Sequence, residues 1–226
     1  MGETLGRVRA AMSAFAENNW ESELIVCDNN STDRTSELAR GAGAQVVFEP
    51  VNQIGRARNA GAKAASGDWL IFIDADSYPS RELFAEVTRT IQTGKVLAGG
   101  CTVVLDTSHF FASRVAGLWN CISRVGKYMA GSFIFCETKV FREIGGFDER
   151  LYASEEIDLS TRLKRLGKKT GRKVVILHRH PLVTSARKMH LYSRREHVRF
   201  LLKTMMNWRR TLSDRDACHT WYDGRR

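Results

Sequence analysis

The chain has 226 residues, 43% of them hydrophobic and 27% charged, with three prolines and no low-complexity tract, enough for one sizeable core and against disorder. No apolar run reaches the roughly 18 residues of a membrane-spanning helix, the opening Met1-Gly2-Glu3-Thr4 has no secretory pattern, and five scattered cysteines without C-x-x-C spacing read as reduced thiols in a cytoplasmic protein, against a zinc site. The formal charge of +10 is uneven: residues 1–160 hold 16 Lys and Arg against 21 Asp and Glu, residues 161–226 hold 19 against 4. That asymmetry points to a polyanionic partner for the C-terminal part, a membrane surface, phosphate groups or nucleic acid, or else to a solvated basic face.

In chain order, Leu5, Val8, Met12 and Phe15 predict an amphipathic helix over residues 4–18. Residues 23–28 (ELIVCD) predict a buried strand ending in Asp28, followed by a polar capping loop, a helix to about residue 40, and a stop at Gly41 and Gly43. Residues 45–48 predict a short strand, and residues 54–65 an Ala-rich helix stopped at Ser66-Gly67. Residues 69–73 (WLIFI) form a very apolar short run that ends in Asp74-Ala75-Asp76; a helix over 81–92 and a strand over 98–105 follow. This alternation predicts an α/β fold, a mostly parallel sheet with helices on both faces, whose ligands bind beyond the carboxyl ends of the strands. Asp28 and the Asp74/Asp76 pair stand at such ends.

The second half predicts a helix over 109–125, a strand over 131–136, a short helix over 138–144 closed by Gly145-Gly146, a helix over 155–166 closed by Gly167, and a strand over 174–177. Residues 190–210 interleave Arg194, Arg195, Arg199, Lys203, Arg209 and Arg210 with Phe200, Leu201, Met205, Met206 and Trp208. They read as a basic amphipathic helix, either lying on a membrane or packed on the main domain.

Two carboxylates two apart, just past a buried strand, face one side if the strand runs on; they can then hold a hard divalent cation that neutralises a diphosphate. Glu155, Glu156 and Asp158 open a helix. Acids there favour the dipole without further purpose, and they can also supply a general base for an acceptor hydroxyl.

Five segments resemble glycosyltransferase family 2, whose members share the GT-A fold. CDNNSTDRT (residues 27–35) is similar to the family's V-D-D/N-x-S-x-D-x-T segment. NQIGRARNAG (52–61) looks like its N-x-G-x-x-x-A-R-N-x-G variants with the Gly displaced by one. WLIFIDADSYP (69–79) is similar to its F-L-D-A-D-D-x-x-x-P metal motif. GSFIFCETKVFREIGGFDE (131–149) matches the segment ending in G-G-F-D-E, and SEEIDLSTRLKRLG (154–167) resembles its E-D-x-D-L-x-x-R-L-x-x-x-G helix. They fall in the family's order over about 140 residues.

The resemblance implies an inverting, Mn²⁺- or Mg²⁺-dependent transfer of sugar from a nucleotide-sugar donor to the hydroxyl of a glycan or lipid-linked acceptor, in cell-envelope glycan or glycolipid synthesis. Asp28 would hydrogen-bond the base, Arg58 would lie by the base or diphosphate, and Asp74 would hold the ribose or a metal-bound water. Asp76 would bind the metal, with His180 or His178 as a third ligand. Arg187 and Lys188 would lie over the diphosphate. Glu156 stands where the family more often has Asp as base, so its extra methylene leaves Glu155 a rival. No covalent intermediate is implied, so Cys136 reads as core. The GT-A domain would span residues 1–185 and a basic helical extension 186–226, touching the inner face of the plasma membrane peripherally. No nucleic-acid motif is visible.

The family's opening strand, of the type V-S-V-I-I-P-x-Y-N-E, is missing; MGETLGRVRAAM resembles the helix after it. Relative to the family pattern the chain is N-terminally truncated, and the expectation is unpaired backbone beside the strands of Asp28 and Asp74. The competing reading is a catalytically inactive, truncated GT-A domain that binds nucleotide or a partner.

Overall fold

Strand β6 (Phe133–Glu137) divides the core. Its side chains alternate across the sheet, as the two-residue strand period requires. Phe133 and Phe135 enter a cluster with Ala11, Ala14 and Phe15 of α1 (Gly2–Ala16) and Leu83, Phe84 and Val87 of α4 (Arg81–Gln92). Ile134 and Cys136 enter a second cluster with Val140 and Phe141 of α6 (Thr138–Glu143) and Leu159 and Leu163 of α7 (Glu155–Thr170). Strand β3 (Trp69–Ile73) obeys the same rule: Leu70 and Phe72 face the α7 side, Trp69, Ile71 and Ile73 the α1 side. The result is a three-layer α/β/α arrangement. The computed structural model describes residues 1–107, 110–186, 212–216 and 218, with backbone alone for Phe110 and Phe111.

The main sheet runs β3-β6-β5-β7-β4, with β5 (Val96–Leu105) at its centre, β7 (Lys173–Thr184) beside it and the two-residue β4 (Ser77–Tyr78) at one edge. Strands β1 (Ile25–Asp28) and β2 (Gln45–Phe48), joined through α2 (Thr35–Gly41), make a separate parallel pair. The α/β class agrees with the sequence, but the pairing is mixed rather than mostly parallel. Among the described residues only β1–β2 and β5–β7 are parallel. Strand β6 returns between β3 and β5 and runs antiparallel to both, and β4 runs antiparallel to β7.

Among the described residues β1 pairs only with β2, and β3 only with β6. Each of these strands thus has one edge without a strand partner among the described residues. Helix α3 (Ile54–Ala64) ties the two sheets: Gly61 packs on Cys27 of β1, and Ala62 shares the core with Leu70 of β3.

Helix α7 passes through Gly167 and ends at Gly171, whose φ of +71° only glycine adopts freely. Gly167 answers a packing demand instead. A Cβ there would lie 2.6 Å from the Arg172 carbonyl oxygen and 3.3 Å from Leu97 Cδ2. Strand β7 is far longer than residues 174–177. It pairs with β5 through Leu177, leaves register for residues 178–181, and resumes at Leu182. Helix α5 (Phe110–Gly126) follows β5 much as expected.

All five cysteines are free; Cys101 and Cys136 are buried, and burial pushes both thiols up to about 12. Leu212 and Cys218 pack on Leu151 and Ala153, and the Tyr152 N–H donates to the Leu212 carbonyl at 2.7 Å. The helix expected over 190–210 lies outside the described residues. Among those described, no helix is long and apolar enough to cross a membrane.

Candidate functional site

Arg58, on the second turn of α3, is the hub of the site. Nη1 donates to Glu155 Oε1 at 2.8 Å, and Nη2 donates to Asp74 Oδ1 and to the Gly131 carbonyl, each at 2.8 Å. The guanidinium also lies 5.3 Å from the centre of the Phe147 ring. One cation thus draws together the end of β3, the loop before β6 and the start of α7. Burial disfavours its charge, but Asp74, Glu155 and Glu156 outweigh that and hold its pKa above the ordinary value. Arg58 therefore stands in the site, with its donors directed at protein acceptors.

The acid pair is split by this arrangement. Glu155 is 4% exposed and neutralised by Arg58. Glu156 lies deep but keeps a solvent-accessible edge, and its carboxyl is pushed up to about 8. Desolvation is the main cause, the charge of Glu155 adds to it, and Arg58 opposes both. At a pKa of about 8 the carboxyl is largely protonated at neutral pH, and its ionised fraction, which grows as pH rises toward 8, is a stronger base than an ordinary carboxylate.

Gly131 explains how these groups approach. A Cβ there would lie 3.1 Å from Arg58 Nη2 and 3.6 Å from Glu156 Cδ. The loop is fixed from behind: the Met129 N–H donates to Ser160 Oγ at 3.0 Å, and Ser160 Oγ donates to the Glu156 carbonyl at 2.7 Å. Ser154, which opens α7, takes a left-handed φ of +61°, an unusual conformation for a non-glycine residue immediately before the acids.

Asp28 is 8% exposed and ends β1 as expected. Its carboxylate accepts from the Ser31 N–H at 2.9 Å and from Ser36 Oγ. Desolvation raises its pKa, but these hydrogen bonds prevail and leave it below the usual value. The carboxylate thereby shapes the loop between β1 and α2. Asn29 continues the work: Nδ2 donates to the carbonyls of Glu49 and Val51, and Oδ1 accepts from the Gln53 N–H.

The Asp74/Asp76 pair rests on different geometry from the sequence premise. The strand stops at Ile73, and a turn follows in which the Ser77 N–H donates to the Asp74 carbonyl at 3.1 Å. Asp74 leans to Arg58 with 37% of its side chain exposed. Asp76 sits beside the end of β7, its carbonyl accepting from the Ser185 N–H at 3.0 Å.

His180 does not join them. It lies in the stretch of β7 that leaves register with β5, near Glu82 of α4, whose pKa is lowered chiefly by hydrogen bonds from its own backbone and Ser80, with His180 adding the smallest share. At about 3.3 Å per residue, four residues separate it from Thr184 by roughly 13 Å of strand. His178 shares that excursion and is exposed. Among the described residues no group of three His, Cys, Asp or Glu could hold a metal ion, so the three-ligand set Asp74, Asp76 and His180 is not assembled. Arg187 and Lys188 lie outside the described residues.

Two positioning residues had no role in the sequence reading. Gln53 Nε2 donates to the carbonyls of Glu149 and Leu151, at 2.7 and 2.9 Å. Asn59 donates to the Phe147 carbonyl and accepts from the Phe147 N–H, both at 2.9 Å. Together they staple α3 to the segment that carries the ring under Arg58 and leads to the acid pair. Both stand within NQIGRARNAG, so the motif was visible and its mechanical use was not.

The family model described as glycosyl transferase family 2 matches residues 3–141, more than half of the chain. An uncharacterized glycosyltransferase of Mycobacterium tuberculosis (strain ATCC 25618 / H37Rv) is 36% identical over 103 residues, 45% of this chain and 43% of that protein. The matched segments span 19% to 43% of the curated relatives. Among solved structures, the mannosyltransferase PcManGT of Pyrobaculum calidifontis, in complex with GDP-Man and Mn²⁺, superposes with a TM-score of 0.59 at 18% identity, over 92% of this chain and 57% of that one. Glucosyl-3-phosphoglycerate synthase of Mycobacterium tuberculosis, in complex with Mg²⁺ and uridine diphosphate, gives 0.55 at 21% identity, over 80% and 66%. The fold is that of the GT-A glycosyltransferases, and the chain belongs to glycosyl transferase family 2.

Proposed function

We propose that this protein is a glycosyltransferase that moves a sugar from a nucleoside-diphosphate donor to an acceptor hydroxyl in one inverting displacement, with Glu156 as the general base. The observation that carries the reading is the division of labour around Arg58: it pairs with Glu155, while Glu156, which has no ion pair within 4 Å among the described residues, has a pKa of about 8. In the proposed step Glu156 takes the proton of the acceptor hydroxyl. The hydroxyl oxygen bonds to the anomeric carbon as the bond from that carbon to the diphosphate breaks, and the nucleoside diphosphate leaves with the electron pair. The nucleophile is the acceptor's own, so the buried, high-pKa Cys136 has no part in it.

The donor set fits a hard divalent cation such as Mn²⁺ or Mg²⁺. Asp74 spends one carboxylate oxygen on Arg58 and is partly exposed, and Asp76 stands two residues on. Two carboxylates are too few for a closed protein cage and suit an ion completed by donor phosphates. Bound there, the ion would supply positive charge against the diphosphate. Asp28 would meet the base, and Arg187, one residue past the described Ala186, would add charge over the diphosphate. A glycan or lipid-linked acceptor met at the inner face of the plasma membrane accords with the basic C-terminal stretch.

The test is release of nucleoside diphosphate from a panel of UDP- and GDP-sugars by the full chain, with Mn²⁺ and with EDTA. Cation-dependent release that falls at least tenfold in Asp76→Ala supports the reading. The absence of both release and nucleotide affinity under every condition refutes it.

A further inference from the structure

Helix α5 carries two apolar faces, and the protein uses one of them. Ala112, Ala116 and Ser123 are buried against the sheet. On the other side Val115, Leu118, Ile122 and Val125 are 42%, 64%, 47% and 81% exposed. Their spacings of three, four and three residues line them up on a single helix face. At 1.5 Å per residue the stripe is about 15 Å long. Solvent-facing aliphatic side chains in such a row mark an interaction surface rather than scattered exposure.

Charge identifies the occupant. From Thr107 to Cys136 the chain holds Arg114, Arg124 and Lys127 and no acid. The preceding acid, Asp106, has Oδ1 engaged by the Ala186 N–H at 2.7 Å. The chain's own residues 187–211 carry eight Lys and Arg against one acid, and α5 of a second copy would bring the same Arg114, Arg124 and Lys127, so both meet the basic flanks of α5 with like charge. An aliphatic stripe on a helix whose own charged residues and following loop are all cationic is matched by a surface that offers hydrocarbon below and negative charge above.

We propose that α5 is an interfacial helix that docks on an anionic lipid bilayer, with Val115, Leu118, Ile122 and Val125 entering the acyl boundary and Arg124 and Lys127 meeting the headgroups. It is linked to the acid pair through α7 and through the segment that leads from α5 to Gly131. Lys164 of α7 donates to the Gly126 carbonyl at 2.7 Å and lies 3.5 Å from the centre of the Tyr128 ring. Ser123 Oγ donates to the Tyr128 carbonyl at 2.6 Å. Gly131, which touches Arg58, follows Val125 by six residues. Docking at α5 thus fixes the candidate site relative to the membrane plane, where a lipid-linked acceptor would arrive. The docking itself does not depend on which reaction the site performs.

Cys121 provides the probe. It is exposed on α5, whereas Cys101, Cys136 and Cys218 are buried and Cys27 is half-buried with its thiol pushed up to about 11. An environment-sensitive fluorophore on Cys121 of the full chain should shift to the blue with phosphatidylglycerol vesicles, far less with phosphatidylcholine vesicles, and less as salt rises. Co-sedimentation of unlabelled Leu118→Glu/Val125→Glu with phosphatidylglycerol vesicles should fall at least tenfold, and Leu118→Ser/Val125→Ser should fall in the same direction. Both pairs sit on exposed positions, so circular dichroism should match the parent. A fluorophore that stays unshifted overturns the proposal, as does parent-level sedimentation of both variants, which would assign binding to the basic C-terminal stretch. A blue shift that follows protein concentration without vesicles overturns it in favour of self-association.

Discussion

Nη1 of Arg58 lies 2.8 Å from Oε1 of Glu155, and that single contact separates two adjacent acids that sequence alone leaves interchangeable. Glu155 is held as the partner of a buried cation. Glu156, one residue on, meets desolvation and the charge of Glu155 with only partial relief from Arg58. A pair of like residues at the start of a helix is thereby given two environments, which is how neighbouring carboxylates come to take different roles.

Arg58 carries the first prediction. Arg58→Ala leaves Glu155, almost wholly buried, without its counter-charge, and such losses cost about 3–5 kcal/mol. Arg58→Lys should recover only part, because an ammonium does not reproduce the guanidinium fork that reaches Glu155, Asp74 and Gly131 together. Urea denaturation of the three proteins measures this. A loss below about 1 kcal/mol for Arg58→Ala would mean the network contributes little.

Gly131→Ala tests the close approach of loop and site. The new methyl would press on Nη2 of the Arg58 guanidinium, which three hydrogen bonds, two from Nη2 and one from Nη1, prevent from giving way. Overpacking of this kind costs about 1–3 kcal/mol. Nucleotide-sugar turnover should fall as well, since a displaced Arg58 changes the charge that opposes the high pKa of Glu156. Unchanged melting temperature and turnover would show that the loop has slack.

Glu156 gives a pH signature independent of any substrate. Its folded pKa of about 8 lies above the ordinary value of 4.5, so between those values the folded protein binds more protons than the unfolded chain. The group's contribution to stability is therefore complete below about pH 4.5, is lost as pH rises, and is gone above about pH 8. Glu156→Gln, which cannot ionise, should melt near the parent at pH 5 and above it at pH 9, by an amount on the order of 4 kcal/mol. Melting curves across that range decide it; a gap that shrinks as pH rises contradicts the environment described for this carboxyl.

The cation site gives a contrast within one experiment. Calorimetric binding of UDP or GDP in the presence of Mn²⁺ should weaken at least tenfold in Asp76→Ala and stay at the parent value in His180→Ala, because His180 lies out of register along β7 and beside Glu82. Equal weakening of both would return the histidine to the ligand set.

The alternating and helical periods of the sequence made most elements legible. WLIFI and FIFCE became β3 and β6, and the helix around Arg58 fell where its alanines indicated. What the sequence concealed was long-range. Nothing local says that β6 returns between β3 and β5, or that β7 runs on past Leu177 through a four-residue excursion, because strand order is set by which apolar faces meet. Gly167 read as a helix end because a glycine's local signal is the same whether it frees a φ angle or admits a neighbouring carbonyl. In the site, the residue types were visible and their partners were not. Asp74, Arg58 and Glu155 stand 16 and 97 residues apart as pairs, and only the fold shows that one guanidinium joins them.

The most direct measurement is the rate of nucleoside-diphosphate release by Glu156→Gln beside the parent, at saturating nucleotide-sugar and Mn²⁺. The substitution keeps shape and removes the base, so release should fall by about 10²–10⁴ while nucleotide affinity holds within a few fold. Release at the parent rate, with the variant folded and binding nucleotide, would contradict the assignment of Glu156 as the group that takes the acceptor's proton.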